Sequence, residues 1–174
     1  MTVEEYATTY LENEIRIIEN SYRKNVLTQL NVFEKAIIYK YTEDGFDDLN
    51  ESLRISKGEK INLFGKLLAE CLDKLPDFIG TVFRSENLAK NEWEEYLLAF
   101  TNDSIITKHS FTSTSKSQLS ANKFGIYRLE IFVQKGKDIE KIAKYDDEKE
   151  VIIRYNSNFR VVGIFNNFVQ LIEI

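Results

Sequence analysis

The spacing of apolar residues differs between the first half of the chain and its last third. In the first half these residues recur with a period of about 3.6, which is typical of amphipathic helices; in the last third the period is close to about 2, which is typical of strands. Capping-box spacing marks two helix starts, at Thr2 with Glu5 and at Asn31 with Glu34. The pattern therefore predicts a helix at each of these points.

The first of these helices is predicted to run to Val26, and the second to cover residues 32–41. Two further helices are predicted in the same half, at residues 47–54 and 60–75. The last one stops just before Pro76, the only proline of the chain, as expected of a residue that cannot continue a helix.

The remainder of the chain is predicted to be mainly strands. β-Branched and aromatic residues dominate from residue 78 onward, with one helical interruption at residues 89–100. Short Asn/Ser turns separate the last three predicted strands, which are expected to form an antiparallel meander. The predicted strands cover residues 78–84, 104–115, 125–134, 150–156, 159–166 and 168–174.

Helices followed by strands indicate the α+β class and not a parallel βαβ sheet. The chain has no internal repeat, no linker rich in Pro, Gly or Ser, and no low-complexity tract. A single domain over residues 1–174 is therefore expected, with residues 1–76 mainly helical and residues 77–174 mainly β.

Composition excludes several classes of function. With a net charge of −5 and no basic cluster, the chain lacks the electrostatic footprint of a nucleic-acid binder. No segment approaches the roughly 20 apolar residues of a membrane span, and the acidic N-terminus does not resemble a Sec signal peptide. A soluble protein with no nucleic-acid or membrane partner is expected. The one cysteine, Cys71, excludes an internal disulfide and is expected in the core.

Common routes to nucleotide and metal chemistry are also absent from the sequence. The seven glycines are too scattered to form a P-loop or a Rossmann loop. The single histidine, His109, has no Cys or acidic residue at metal-ligand spacing, which argues against a zinc site and against a Ser-His-Asp triad. No bound metal is expected.

Three pairs of glutamates have the spacing Glu-x-Glu. Two pairs fall on predicted helices, where residues i and i+2 point in different directions, whereas on a strand they project to the same face. Only Glu148 and Glu150 are therefore expected to be co-directed, and two adjacent carboxylates tend to raise one pKa. An acidic, solvated turn is the alternative interpretation. The three pairs are Glu12 with Glu14, Glu92 with Glu94, and Glu148 with Glu150.

Two other features could bind a substrate. In "SFTSTSKS" the alternation places Ser113 and Ser115 on one face of a strand and Thr114 on the other, although a polar edge strand has the same pattern. Arg84 ends an apolar strand, where its guanidinium could bind a phosphate in bidentate fashion or be an ordinary surface charge.

The order of these three features resembles the R-S-E class of mono-ADP-ribosyltransferases, and the resemblance covers most of the chain. A strand ending in Arg84 is followed by Ser-Thr-Ser and then by Glu-x-Glu at the head of another strand. Phe124 and Tyr145 match two aromatic positions of that class, whereas Ser110 stands where some members have Asn. An upstream helical segment also matches, at Tyr41, Thr42, Phe46, Asn50, Leu53 and Arg54.

The resemblance implies an ADP-ribosyltransferase fold, with N-terminal helices packed on two antiparallel-rich β-sheets that form an NAD cleft. It implies that Glu150 and Glu148 are catalytic, with Ser113 orienting Glu150, and that Tyr145 and Glu148 recognise the acceptor. NAD, as a co-substrate and without a metal, would be bound by Arg84, Ser113, Thr114, Ser115, Phe124 and Tyr41.

The function implied is transfer of ADP-ribose from NAD to an arginine side chain of a target protein, because members that modify asparagine or glutamine tend to carry Gln at the position of Glu148. A bacterial effector or toxin, secreted or injected without a Sec signal and acting in the cytoplasm of a target cell, is expected. An immunity protein is a further candidate partner. The alternatives are an NAD glycohydrolase and an inactive interaction module with the same fold.

Overall fold

The computed structural model describes residues 1–174 and contains seven α-helices and seven strands in two compact units. One unit comprises residues 1–76 with 139–146, and the other comprises residues 77–138 with 147–174. The helices are α1 (Val3–Tyr10), α2 (Glu12–Glu19), α3 (Val32–Lys40), α4 (Phe46–Ile55), α5 (Leu63–Asp73), α6 (Lys90–Asn102) and α7 (Gln118–Ala121). The strands are β1 (Phe78–Glu86), β2 (Ile105–Lys108), β3 (Thr112–Ser115), β4 (Tyr127–Asp138), β5 (Glu150–Ile153), β6 (Ser157–Phe165) and β7 (Phe168–Glu173).

The helical unit begins its helices where the capping boxes predict. Thr2 Oγ1 accepts a hydrogen bond from the Glu5 N–H at 3.2 Å, and the Glu5 carboxylate accepts one from the Thr2 N–H at 2.8 Å. Asn31 and Glu34 form the same reciprocal pair at the start of α3. The first predicted helix is nevertheless broken at Leu11, whose backbone leaves the helical region (φ −126°, ψ 35°) and whose side chain is buried.

Two basic side chains of the helical unit bind main-chain carbonyl groups instead of carboxylates. Lys35, 2% exposed, donates from Nζ to the carbonyl oxygens of Arg23 and Lys24 at 3.0 and 2.9 Å. The Arg23 guanidinium in turn donates to three consecutive carbonyls, those of residues 142–144, with its shortest bond at 2.8 Å to Ala143. Hydrogen bonds from the Arg23 side chain to main-chain carbonyls thus connect residues 139–146 of this unit to residues 1–76.

The sheet unit confirms the α+β class with mainly antiparallel pairing, but one part of the predicted topology is wrong. All seven strands are hydrogen-bonded into one sheet, in the order β1-β3-β5-β4-β7-β6-β2 with β1 also paired to β4. The long strand β4 joins two groups of strands, because it pairs with β1 and β7 along its first part and with β5, the neighbour of β3, at its end. The predicted meander of the last three strands is wrong. Only β6 and β7 form a hairpin, while β5 lies between β3 and β4.

The predicted strand over residues 104–115 is two strands that join different neighbours. β2 pairs with β6 at one edge of the sheet, whereas β3 pairs with β1 and β5. Buried residues from α6 and from strands β1, β4, β5, β6 and β7 form the core of this unit. α7 was not predicted, since four residues give no periodic signal. No helix of either unit has both the length and the apolarity that crossing a membrane requires.

Candidate active site

Strands β3 and β5 bring the Ser-Thr-Ser motif beside Glu150. Their antiparallel register sets Ser113 opposite Ile152 and Ser115 opposite Glu150, and residues directly opposite each other share a face. The hydroxyl of Thr114 points the other way and donates to the Val151 carbonyl at 2.7 Å in the interior. Both serines of the motif therefore share the face of Glu150.

Glu150 is almost fully buried, with 5% of its surface exposed. The pKa of its carboxyl group is raised to about 7, chiefly by burial; the hydrogen bond from Ser113 and the charge of Arg84 oppose this rise, and the nearby charge of Glu148 adds to it. Such perturbed carboxyl groups cluster at functional sites. Glu150 is thus a buried acid that changes its charge near neutral pH.

Glu148 lies near Glu150, but the two residues do not share the face of one strand, as was predicted. It is the last residue of a 3₁₀ turn, Asp146–Glu148, and not part of a strand. Lys149 follows in the left-handed region, with φ 48°, so the alternation of a strand does not apply between the two glutamates. Burial and the charge of Asp147 raise the pKa of Glu148, partly offset by Lys123. The two carboxyl groups interact electrostatically, although the reasoning from a shared strand face was wrong.

Ser115 holds the turn that separates the two glutamates. Its hydroxyl donates to the Glu148 carbonyl at 2.5 Å and accepts a hydrogen bond from the Ser117 N–H at 2.9 Å. The N–H of Lys116 donates to the Lys149 carbonyl at 3.0 Å. These bonds stabilise the left-handed turn, and the predicted contact of Ser115 with NAD stays a prediction.

Arg84 is held from two sides. Its Nε donates to a Glu86 carboxylate oxygen at 2.9 Å, and its Nη1 donates to the Ser113 carbonyl at 2.9 Å. The other oxygen of Glu86 lies 3.4 Å from the Lys108 Nζ. Burial would raise the pKa of Glu86, but the charges of Lys108 and Arg84 outweigh it and lower that pKa. The guanidinium is therefore oriented by the protein and retains Nη2 for a ligand.

Glu86 and Lys108 were not singled out in the sequence. The alternation of a strand places Glu86 on the same face as Arg84, and that signal was available in "TVFRSEN". Nothing in the sequence indicated that Lys108, from another strand, would approach the same carboxylate.

The predicted aromatic residues are distributed over both units. Phe124 lies in the sheet unit, in the loop after α7, and is 59% exposed. In the helical unit Tyr145 is 47% exposed, whereas Tyr41 has no exposed surface and its hydroxyl accepts a hydrogen bond from Asn50 at 3.2 Å. The placement of Tyr41 fits a packing role, and its contact with NAD stays a prediction. His109 is hydrogen-bonded through Nδ1 to Asn156 at 3.1 Å.

Comparison with solved structures defines the class to which the fold belongs. The ADP-ribosyltransferase HopU1 of Pseudomonas syringae pv. tomato DC3000 aligns with a TM-score of 0.81 at 17% identity, over 94% of this chain and 87% of that one. Exoenzyme S of Pseudomonas aeruginosa, in a complex with human 14-3-3 protein beta and carba-NAD, aligns with a TM-score of 0.76 at 16% identity, over 98% and 86% of the two chains. The fold is that of bacterial ADP-ribosyltransferases.

Sequence comparison gives the family. The model of the ADP-ribosyltransferase exoenzyme family matches residues 18–172, so the chain belongs to this family. A protein of Mycobacterium avium (strain 104), Mav, which carries the name of an NAD(+)–arginine ADP-ribosyltransferase, is 31% identical over 145 residues. That match covers 79% of this chain but 17% of the relative, so the chain spans only a small part of that protein's length.

Proposed function

We propose that the protein transfers ADP-ribose from NAD to an arginine side chain and releases nicotinamide. Membership of the ADP-ribosyltransferase exoenzyme family supports NAD as the substrate. The observation that carries the proposal is the buried Glu150, which is hydrogen-bonded by Ser113 and lies within the electrostatic reach of Arg84 and Glu148.

Each of these groups has a task in cleaving the bond between the ribose C1′ and the nicotinamide nitrogen. The leaving nicotinamide takes the electron pair of that bond and departs neutral, so positive charge develops on the ribose. Ionised Glu150 would stabilise that charge and accept a hydrogen bond from the ribose 2′-hydroxyl. Arg84, already oriented by Glu86 and by the Ser113 carbonyl, would bind the phosphates through its remaining nitrogen.

An arginine acceptor accounts for the second glutamate. A guanidinium is protonated at every physiological pH and must lose one proton when its nitrogen forms the new bond to C1′. The half-buried Glu148, with its raised pKa, would pair with the guanidinium and take up that proton. The name of the Mycobacterium avium relative supports the same acceptor.

We infer a protein in the cytoplasm of a target cell as the natural acceptor. Exoenzyme S, whose structure contains a human protein, has a similar fold. The exposed Tyr145 would contribute to recognition of the acceptor, and an immunity protein is a further candidate partner.

The test is incubation with NAD labelled in its adenosine part, with and without agmatine as a small guanidine acceptor and with a cell lysate. We expect label in agmatine and in protein with the wild type and no reaction with Glu150→Gln. Glu148→Gln should lose transfer and keep much of the hydrolysis. The matched control is Glu94→Gln, because Glu94 belongs to a Glu-x-Glu pair on the helix α6, and it should react like the wild type.

The alternative functions predict different results. Free ADP-ribose without labelled acceptor would indicate an NAD glycohydrolase. An unreactive wild type would favour an interaction module with the same fold. Full activity in Glu150→Gln would contradict the assignment of the catalytic residue.

A further inference from the structure

Residues 84–87, at the end of β1 and just after it, make contacts alternately on the two sides of the strand. Arg84 and Glu86 form the charged cluster described above, whereas Ser85 and Asn87 contact the segment Ala121–Ile126, which links α7 to β4 and carries Phe124. We call residues 121–126 the Phe124 segment. Neither Ser85 nor Asn87 has a task in the proposed reaction, and Ser85 is one of the few fully buried polar residues of the sheet unit.

The Ser85 hydroxyl uses its hydrogen-bonding capacity on this segment alone. Ser85 is 2% exposed. Its Oγ donates to the carbonyl of Ala121 and accepts a hydrogen bond from the N–H of Phe124 at 3.1 Å. One buried hydroxyl therefore bridges two main-chain groups three residues apart and closes the segment into a loop on the end of β1.

Two further contacts hold the same segment. Asn87 Oδ1 accepts a hydrogen bond from the Ile126 N–H at 3.2 Å. Gly125 lies so close to β1 that a Cβ at this position would be 2.3 Å from the carbonyl carbon of Glu86, a distance that only glycine permits. The backbone on both sides of Phe124 is therefore fixed, while its ring is 59% exposed.

We propose that Ser85 is a positioning residue for NAD binding. It holds Phe124 in place, so that the nicotinamide end of the substrate contacts an aromatic ring that is ordered before binding. This proposal rests on the proposed function. A loop that is ordered before binding loses less conformational entropy when the substrate binds. A residue that orders the loop, such as Ser85, therefore increases the affinity for the substrate without contacting it. A hydroxyl that merely satisfied two buried main-chain groups would contribute to stability alone.

The test is a double-mutant cycle with Ser85→Ala and Phe124→Ala, measured on the KM for NAD in the hydrolysis reaction and on the dissociation constant of NAD by calorimetry. Ser85→Ala should raise both constants roughly tenfold, with a smaller change in kcat. In the Phe124→Ala background it should change them less than roughly twofold, because the group through which it acts is gone. Hydrogen exchange should show faster exchange of the Phe124 amide in Ser85→Ala.

Two further variants complete the experiment. Ser157→Ala removes another serine hydroxyl of the sheet unit that donates to a main-chain carbonyl, that of Arg154 at 2.8 Å, and should leave both constants unchanged. Ser85→Cys keeps the branching of the side chain, with a somewhat larger atom in place of the hydroxyl oxygen, and weakens both hydrogen bonds, so it replaces Ser85→Ala in the cycle if that variant does not fold.

Equal effects of Ser85→Ala in the two backgrounds would overturn the proposal, as would unchanged constants in Ser85→Ala. A wild type that binds NAD without cleaving it would contradict the proposed function only, because the cycle is then completed on dissociation constants. A wild type that binds no NAD would overturn both.

Discussion

NAD cleavage is expected to rise with pH through about 7, because the proposed reaction needs an ionised Glu150 to stabilise the developing positive charge and the pKa of Glu150 is raised to about 7. One pH unit below that value about one eleventh of the carboxyl groups are ionised, and one unit above it about ten elevenths are. Between pH 6 and pH 8, kcat/KM for NAD should therefore rise by about tenfold. The sign follows from the role of the group: activity is lost as the pH falls through the pKa.

The causes of the raised pKa can be separated by two substitutions that move it in opposite directions. Glu148→Gln removes a like charge, so the acidic limb of the pH profile should move to lower pH. Ser113→Ala removes a hydrogen bond to the carboxylate, so the limb should move to higher pH. The assay is the pH dependence of kcat/KM for NAD hydrolysis, which reports ionisations of the free enzyme.

Glu94→Gln on helix α6 is the control for the charge change and should leave the limb in place. A flat profile from pH 5.5 to 8.5, or shifts of both variants in the same direction, would refute the assignment of Glu150 as the ionising group.

Four further outcomes follow from the same structure. Since the pKa of Glu150 is raised on folding, the wild type loses stability as the pH rises from about 4.5 to about 7; at pH 8 the free energy of unfolding measured with urea should therefore be higher in Glu150→Gln, by at most about 3 kcal/mol, with little difference near pH 4. Glu86→Ala should raise the KM for NAD because Arg84 loses its orienting carboxylate, and Glu86→Gln, which keeps an acceptor, should have a smaller effect; an unchanged KM in both would contradict this. Burial raises the pKa of Cys71 to about 12, so a disulfide reagent should label it only on unfolding, and rapid labelling of the native protein would show that the thiol is accessible. Lys149→Gly should retain activity, whereas Lys149→Val, β-branched in a left-handed conformation, should lower both activity and melting temperature; equal behaviour of the two would refute the importance of that turn.

Local features of the sequence predicted local features of the structure well. The capping boxes at Thr2 and Asn31 begin helices as expected because donor and acceptor lie three residues apart. The candidate site residues Arg84, Ser113 and Glu150 were singled out from their order along the chain, and in the sheet Arg84 and Ser113 both interact with neighbours of the same cluster as Glu150.

Features that depend on distant partners could not be predicted in the same way. The apolar run of β5 is compatible with any neighbour, and its position between β3 and β4 is decided by the whole sheet. The 3₁₀ turn before Lys149 depends on the Ser115 hydroxyl, 33 residues away from Glu148 along the chain. The role of Ser85 was equally invisible, because the main-chain groups that it binds belong to a loop without a sequence pattern.

The discontinuity of the helical unit limits how the gene could be divided. In the sequence, residues 1–76 resemble a separable module. A fragment of these residues alone would lack the carbonyl groups that accept hydrogen bonds from the Arg23 guanidinium, because all of them belong to residues 139–146. The Thr42 hydroxyl would likewise lose the N–H of Lys144. Recombination between relatives, or the transplanting of this unit into another protein, would therefore have to carry both stretches together.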